Sequence, residues 1–381
     1  MHSLSAANSK FALDLLNNLT EVNRNGNIFF SPLGISSALG MVHLGSRGST
    51  AGQIAKTLHF DTVGDVHASF QALNTEINNP SSSYELKLAN RLYGEKKYDF
   101  LQAFMEHTKK VYQAELSPVD FRHNSEKVRN EINAWVENQT AGKIKDLLAP
   151  DAVDSNTKLV LANAVYFKGT WSKKFEAWKT HDLQFRKTKN AKVMVQMMNT
   201  EQDFRYNYIS ELRLSILELP YLKDETSMLI LLPDDFTDDS TGLDQLQKEL
   251  SYENLTKWTG PTNMQTTLVN VSLPKFSLKE SIDMISILTK MGITDVFTDS
   301  ADLSGMTGNK ELKVSKVVHK SFVDVNEQGT EAAAATGIVC VPMCARLPRP
   351  HKVFLADHPF IFFILHKNTG SILFLGRFCQ P

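Results

Sequence analysis

Cysteine is nearly absent. The 381 residues hold three, Cys340, Cys344 and Cys379, all close to the C-terminal end. So few, crowded so tightly, do not make a disulfide framework and fit a reducing compartment. Charge of one sign is missing too. Lys and Arg total 41 against 42 Asp and Glu, a net charge of −1, which leaves no general footprint for nucleic acid or an anionic membrane. No uninterrupted apolar run approaches the length of a membrane span. The opening residues, Met1-His-Ser-Leu-Ser-Ala-Ala-Asn8, have neither the basic nor the apolar region of a cleavable signal, so a cytoplasmic protein is expected. The four sequons at Asn18, Asn138, Asn254 and Asn270 are then chance matches.

Enzyme signatures are lacking as well. The chain has no Gly-x-Ser-x-Gly, His-Glu-x-x-His, Cys-x-x-Cys, Walker loop or Gly-x-Gly-x-x-Gly. Its eleven histidines show no metal-ligand spacing, so neither metal nor cofactor is expected. A catalytic cysteine needs a histidine oriented beside it, and the surroundings of Cys340 and Cys344 offer little to hold one. Linkers rich in Gly, Ser or Pro, internal repeats and low-complexity tracts are also missing. The length admits two or three domains, but without a composition break one large domain, 1–381, is the better reading.

What is present is a series of periodic segments. Phe11, Leu15, Leu19 and Val22 recur at helical spacing, with Ser5 or Asn8 as candidate N-caps. Ser31 before Pro32 reads as an N-cap and first helical residue, and Thr50 with Gln53 as a capping box. Helices are expected over 63–79 and 100–112, from Ser125 to Gly142, and from Ile282 to Met291. Lys158 to Gly169 is too apolar for a half-exposed strand and belongs in the middle of a sheet, with Asn163 a buried polar group in need of partners. Leu86–Tyr93, Leu214–Leu219, Met228–Leu232, Leu268–Leu273, Val314–Lys320, Lys320–Val325, Phe360–Leu365 and Ser371–Phe378 are further strands.

One stretch stands apart, Glu327-Gln-Gly-Thr-Glu-Ala-Ala-Ala-Ala-Thr336, continuing to Cys344 with no large apolar residue before Ile338. Read alone, its four alanines suit a short helix or surface loop. Read with period two, Thr330, Ala332, Ala334 and Thr336 form one small, uncharged face, with Glu331, Ala333 and Ala335 on the other. That face suits a strand that must slip between strands already packed over a core.

Several ordered motifs then carry a resemblance. They are Asn27-Ile-Phe-Phe-Ser-Pro32, Asn163-Ala-Val-Tyr-Phe-Lys-Gly-Thr-Trp171, Leu273-Pro-Lys-Phe-Ser277, the Glu327–Thr336 hinge, Ala356-Asp-His-Pro-Phe-Ile-Phe-Phe-Ile364 and Gly370-Ser-Ile-Leu-Phe-Leu-Gly-Arg-Phe378. In this order they make the whole chain resemble a serpin, specifically one of the intracellular, ovalbumin-like group. The resemblance implies an α+β serpin fold of three β-sheets and about nine helices, with an exposed reactive-centre loop at about 327–352. It implies inhibition by a suicide-substrate route. A protease cuts the loop, the loop inserts as a new strand while still acyl-linked, and the enzyme is carried across the molecule and ruined. Strand addition by serpin loops is a general example of stored strain released.

Carried onto this chain, the family pattern places the scissile bond at Met343–Cys344, flanked by Val341 and Pro342. Unbranched, apolar Met343 suits elastase-like or chymotrypsin-like enzymes. Arg346 would draw trypsin-like enzymes, more as a substrate site than an inhibitory one. The hinge comprises Glu327, Gly329, Thr330, Glu331, Ala332, Ala333, Ala334, Ala335 and Thr336. Ser31, Asn163 and His319 match the family's network beneath the opening sheet, with Trp171, Lys275 and Glu327 at its top. Gly34 departs from the family, which usually has a second serine there. Heparin activation uses a basic helix near 63–79, and that segment contains no Lys or Arg, so that route is rejected. The implied partner is a serine protease in a covalent 1:1 complex with a monomeric inhibitor. A noninhibitory binding or storage role and inhibition of papain-like cysteine proteases stay open, as does release from the cell without a cleaved signal. Oxidation at Cys340, Met343 or Cys344 and a contact role for the basic run 346–352 are weighed against incidental thiols and a solvated loop flank.

Overall fold

The strand expected in mid-sheet lies there. Leu159–Thr170 is paired on both edges and buried along nearly its whole length. It belongs to a computed structural model that describes residues 2–79, 83–236, 241–330 and 351–381. Ten α-helices occur among the described residues. They are α1 (His2–Val22), α2 (Pro32–Gly45), α3 (Gly48–Thr57), α4 (Val66–Ile77), α5 (Gln102–Tyr112) and α6 (Phe121–Gln139), then α7 (Asp244–Glu249), α8 (Tyr252–Thr259), α9 (Ile285–Lys290) and α10 (Ser304–Thr307). The strands are β1 (Ile28–Phe30), β2 (Tyr84–Glu95), β3 (Glu115–Val119), β4 (Leu159–Thr170) and β5 (His181–Arg186), followed by β6 (Lys192–Ile209), β7 (Leu214–Pro220), β8 (Thr226–Pro233), β9 (Gln265–Pro274) and β10 (Phe276–Asp283). The last are β11 (Lys316–Asn326), β12 (Gly329–Thr330), β13 (Lys352–Leu355), β14 (Phe360–His366) and β15 (Ser371–Phe378).

Six strands form one sheet in the order β10-β11-β12-β4-β2-β3. Within it β4 is antiparallel to β2, but parallel to β11 along Val160–Tyr166 against Lys316–Phe322. The other nine run β1-β15-β14-β8-β7-β6-β9-β13, with β5 beside β6. Two of the three expected sheets are joined here because β6, 18 residues long, serves both. It pairs with β7 through Arg205–Ile209, with β9 through Met197–Tyr206 and with β5 through Lys192–Met197.

Alternation along β4 explains its apolar run. Leu159, Leu161, Val165 and Phe167 face the main core shared with the nine-stranded sheet, α1 and α2. Val160, Ala162, Ala164 and Tyr166 face a smaller core capped by Val128, Ile132 and Val136 of α6. A strand covered on both faces has no polar side to show.

Several expected helix starts are displaced. Helix α1 begins at His2, and Ser5 and Asn8 are buried inside it, tied to Ser371 Oγ at 2.7 Å and the Ile372 carbonyl at 3.2 Å. Thr50 and Gln53 form no capping box. Thr50 Oγ1 accepts the Asp302 N–H and Gln53 Oε1 those of Thr294 and Asp295, so both bridge α3 to a distant loop. Helix α6 is capped by Asp120, which accepts the His123 N–H, and bends at Asn124. Ile282 and Asp283 end β10, pairing with His319 and Val318, so the helix after them is shorter than expected. Ser31, by contrast, is an N-cap as read, accepting the Gly34 N–H with Pro32 at the first helical position.

Candidate functional site

The parallel β4–β11 seam ends at Tyr166 and Phe322, and above it β12 sits between the two strands. Gly329 pairs with Thr170 and Thr330 with Gly169. The first has to be glycine, because its φ is +153° and a Cβ there would lie 2.0 Å from the Gly169 carbonyl oxygen. Thr330 is fully buried, with its hydroxyl 2.7 Å from Tyr221 Oη. Tyr221 is buried as well, and that burial drives its phenol far above the usual range, so it stays a neutral hydrogen-bonding partner. Its ring stacks on Trp171 at 4.5 Å between centroids and meets Phe167 edge-on at 5.1 Å.

Trp171 also holds the turn that delivers β12. Its indole N–H donates to the Asn326 carbonyl at 3.0 Å and its backbone N–H to the Gln328 carbonyl at 2.9 Å, while Phe175 N–H donates to Glu327 O at 3.0 Å. Glu327 turns its carboxylate to Lys275 Nζ at 3.1 Å and accepts the Thr180 hydroxyl at 2.8 Å. Partial burial works against that charge. Hydrogen bonds from its own backbone, Thr180 and Lys275 outweigh the burial and hold the carboxyl below its ordinary range.

Halfway down the seam, three side chains stand in register across three strands. Asn90 of β2 is opposite Asn163 of β4, which is opposite His319 of β11. The imidazole Nε2 accepts the Ser31 backbone N–H at 3.0 Å, so Nδ1 carries the hydrogen and donates to Asn163 Oδ1. Asn163 Nδ2 in turn donates to Asn90 Oδ1, and Asn90 Nδ2 is buried without a partner among the described residues. Ser31 Oγ donates to the Leu373 carbonyl at 2.7 Å, linking the row to the other sheet. Burial lowers the His319 pKa to about 3, so the ring is neutral. Where the family pattern has serine, Gly34 is needed for space. A Cβ would sit 2.6 Å from Val165 Cγ2 and 3.1 Å from the Asn163 amide.

Of the residues singled out from sequence, Ser31, Asn163 and His319 form one connected group, and Trp171, Lys275, Glu327, Gly329 and Thr330 a second at the upper end of the same seam. Glu331, Ala332, Ala333, Ala334, Ala335, Thr336, Cys340, Val341, Pro342, Met343, Cys344 and Arg346 lie outside the described residues. Sequence reasoning missed Tyr221, Thr180 and Asn90. Asn90 carried a usable signal, a polar residue on the strand face that Leu86, Leu88 and Leu92 make apolar. Among the described residues, no group of three His, Cys, Asp or Glu side chains is placed to hold a metal ion, and no helix is long and apolar enough to cross a membrane.

A profile of the serpin family, serine protease inhibitors, matches residues 6–381. Leukocyte elastase inhibitors from Equus caballus and Homo sapiens are each 54% identical to the chain, over the full length of both proteins. Among solved structures, uncleaved ovalbumin superposes with a TM-score of 0.90 at 38% identity, covering all of both chains.

Proposed function

The chain belongs to the serpin family, and from that premise we propose that it traps a serine protease as a suicide substrate. It is an inhibitor without catalytic residues of its own. The enzyme's serine attacks the Met343 carbonyl, Cys344 leaves as the new amino terminus, and the acyl-linked loop (about 327–352, within one domain 1–381) inserts between β4 and β11.

One observation carries this reading. Thr330, the first inward residue of the hinge, already lies buried between the two strands that must part. Period two then places Ala332, Ala334 and Thr336 on the same side, a small uncharged set that costs little to bury. Insertion exchanges one parallel ladder for two antiparallel ones, which favours the final state. About 14 residues at roughly 3.4 Å each carry the protease several tens of Å.

Met343 selects elastase-like or chymotrypsin-like enzymes, in keeping with the names of the two relatives. Arg346 three residues on is a competing cleavage site. The partner is held in a covalent 1:1 complex by a monomer. The chain works in the cytoplasm, and it requires no nucleic acid, membrane or heparin contact through α4.

Incubation with pancreatic elastase and with chymotrypsin, read on a denaturing gel with the mass of the released peptide, tests mechanism and bond together. A detergent-stable complex with a peptide beginning at Cys344 is expected, and one beginning at Leu347 moves specificity to Arg346. Cleavage by both enzymes without any complex overturns the proposal in favour of a noninhibitory serpin. Thr330→Arg is expected to convert the inhibitor to a substrate, raising the stoichiometry of inhibition by about tenfold or more, because an unpaired charge must be buried before insertion can proceed. An unchanged stoichiometry counts against insertion.

A further inference from the structure

At the foot of the six-stranded sheet, at the opposite end of β4 from the hinge, a cavity of about 300 Å³ opens between the turn after β2, the start of β4 and the segment leading into β11. Four lysines line it, Lys97, Lys158, Lys310 and Lys313, against two acids, Asp299 and Glu311. Lys313 pairs with Asp299 at 2.8 Å and Lys310 with Asp302 at 2.9 Å. Among the described residues no carboxylate pairs with the Lys97 or Lys158 ammonium, although Glu95 Oε1 accepts the Lys97 backbone N–H at 3.3 Å. The Lys97 ammonium lies over the Tyr98 ring at 4.9 Å, and Lys158 Nζ donates only to the Glu311 carbonyl, at 2.8 Å.

We propose that this cavity binds a small molecule carrying two or more linked phosphoryl groups. The Lys97 and Lys158 ammonium groups come from different segments, Lys97 beyond β2 and Lys158 before β4, and neither is ion-paired among the described residues, though Asp299 lies near enough to Lys158 to feel its charge, so an anion with separated charges meets both. Linked phosphoryl groups supply such charges on one ligand. Lys313 adds a third contact at little cost, since the Asp299 side chain is 90% exposed and free to turn into water. Lysine suits such a ligand as a mobile point charge with three donors. The volume lies at the lower end of small-molecule sites, enough for a short phosphate chain.

Lys158 also connects this cavity to the seam. Its backbone N–H donates to Ser315 Oγ at 2.9 Å and its carbonyl accepts the Glu95 N–H at 2.8 Å, while Ser315 N–H donates to the Leu159 carbonyl at 2.8 Å. The feet of β2, β4 and β11 are therefore laced together at this one residue. An anion spanning Lys158 and Lys313 clamps the lower end of the seam and slows its opening, a consequence that rests on the inhibitory reading.

Titration calorimetry of the full-length protein with tripolyphosphate and with ATP, at low and constant ionic strength, tests the site. We expect one binding event with Kd on the order of 1 mM or tighter, weakened about tenfold in Lys97→Gln/Lys158→Gln. Lys97→Gln/Lys310→Gln, at two exposed positions, gives a second variant whose fold is not at risk. Equal affinity for the two ligands assigns recognition to the phosphate chain, and tighter ATP adds a contact to its base. No saturable heat at millimolar tripolyphosphate, or equal heats from both variants and the parent protein, overturns the proposal. The rate of protease-complex formation is measured separately with and without tripolyphosphate. Binding without any protease complex keeps the site and removes the inhibitory reading, whereas complex formation without binding does the reverse.

Discussion

At the scale of the residue, the seam's closure depends on a histidine that must stay neutral. Ser31 N–H needs an unprotonated Nε2 on His319, and among the described residues no acid lies beside the ring to favour a charge. Its folded pKa, about 3, lies below the ordinary 6.5, so the unfolded chain takes up the proton first. The stability it contributes is complete above about pH 6.5 and declines as pH falls toward 3, by about 2 kcal/mol between pH 7 and pH 5. His43, His67 and His366 are also lowered, mainly by burial, so acid loosens more than one place, and the share of His319 is a difference measurement. His319→Ala should cost about 2–4 kcal/mol at neutral pH, by stranding Ser31 N–H and Asn163, and should flatten the loss between pH 7 and pH 5. Urea midpoints of both proteins across that range check this, and parallel curves would show that His319 is not the titrating group. Gly34 gives a second test. Gly34→Ala should lose about 1–3 kcal/mol through contact with the stiff, buried Val165, and Val165→Ala in the same chain should return part of it. Strict additivity would remove that explanation. Asn163 was legible as a buried polar group because an amide is conspicuous in an apolar strand. Tyr221 was not, because an aromatic after Pro220 looks the same whether it packs on a core or waits for a threonine 109 positions away.

At the scale of the element, what the sequence showed depended on how evenly each segment was buried. Strand β4, covered on both faces, was plain from its apolar run. Strand β6 was not read from sequence, since its buried positions change parity from Val195 and Met197 to Met198, Thr200, Phe204 and Tyr206, which breaks the alternation midway. The polar groups of α1 and α3 were misread as caps because Ser, Thr and Asn bond equally well to a partner far along the chain. The hinge expected from sequence rests on what one face omits, charge and bulk, and of that face only Thr330 lies among the described residues. That pattern leads to a prediction about the seam itself. If β4 and β11 accept any strand with a small uncharged face, a synthetic peptide of the sequence Thr330–Met343 should enter between them. It should raise the thermal midpoint and abolish protease-complex formation, while the same peptide carrying T336R does neither. Inhibition undiminished by a peptide that binds would place its site elsewhere.

At the scale of the molecule, the inhibitory reading gives the six-stranded sheet one further strand, supplied by the hinge. Completing it adds two ladders of backbone hydrogen bonds for the one it breaks, but the way there is obstructed. The Asn90–Asn163–His319 row must come apart, and α6 lies packed over Ala162 and Ala164 on the other face. A favourable end state behind such obstacles is kinetic stability, in which a starting form persists because its barrier is high. On the inhibitory reading proposed above, cutting at Met343–Cys344 would release the hinge to travel further. Each net hydrogen bond gained contributes about 0.5–1.5 kcal/mol, so a full strand is worth on the order of 10 kcal/mol. The cleaved inhibitor should therefore melt at least about 10 °C above the intact one. Cleaved Thr330→Arg should melt with the intact protein, because its loop is cut yet stays outside the sheet. Scanning calorimetry of the four samples separates the two contributions. If cleavage alone raises the midpoint equally in both, relief of loop tension accounts for the gain and the new strand does not. If neither moves, the sheet never opened, and the small-residue hinge serves only to reach Tyr221.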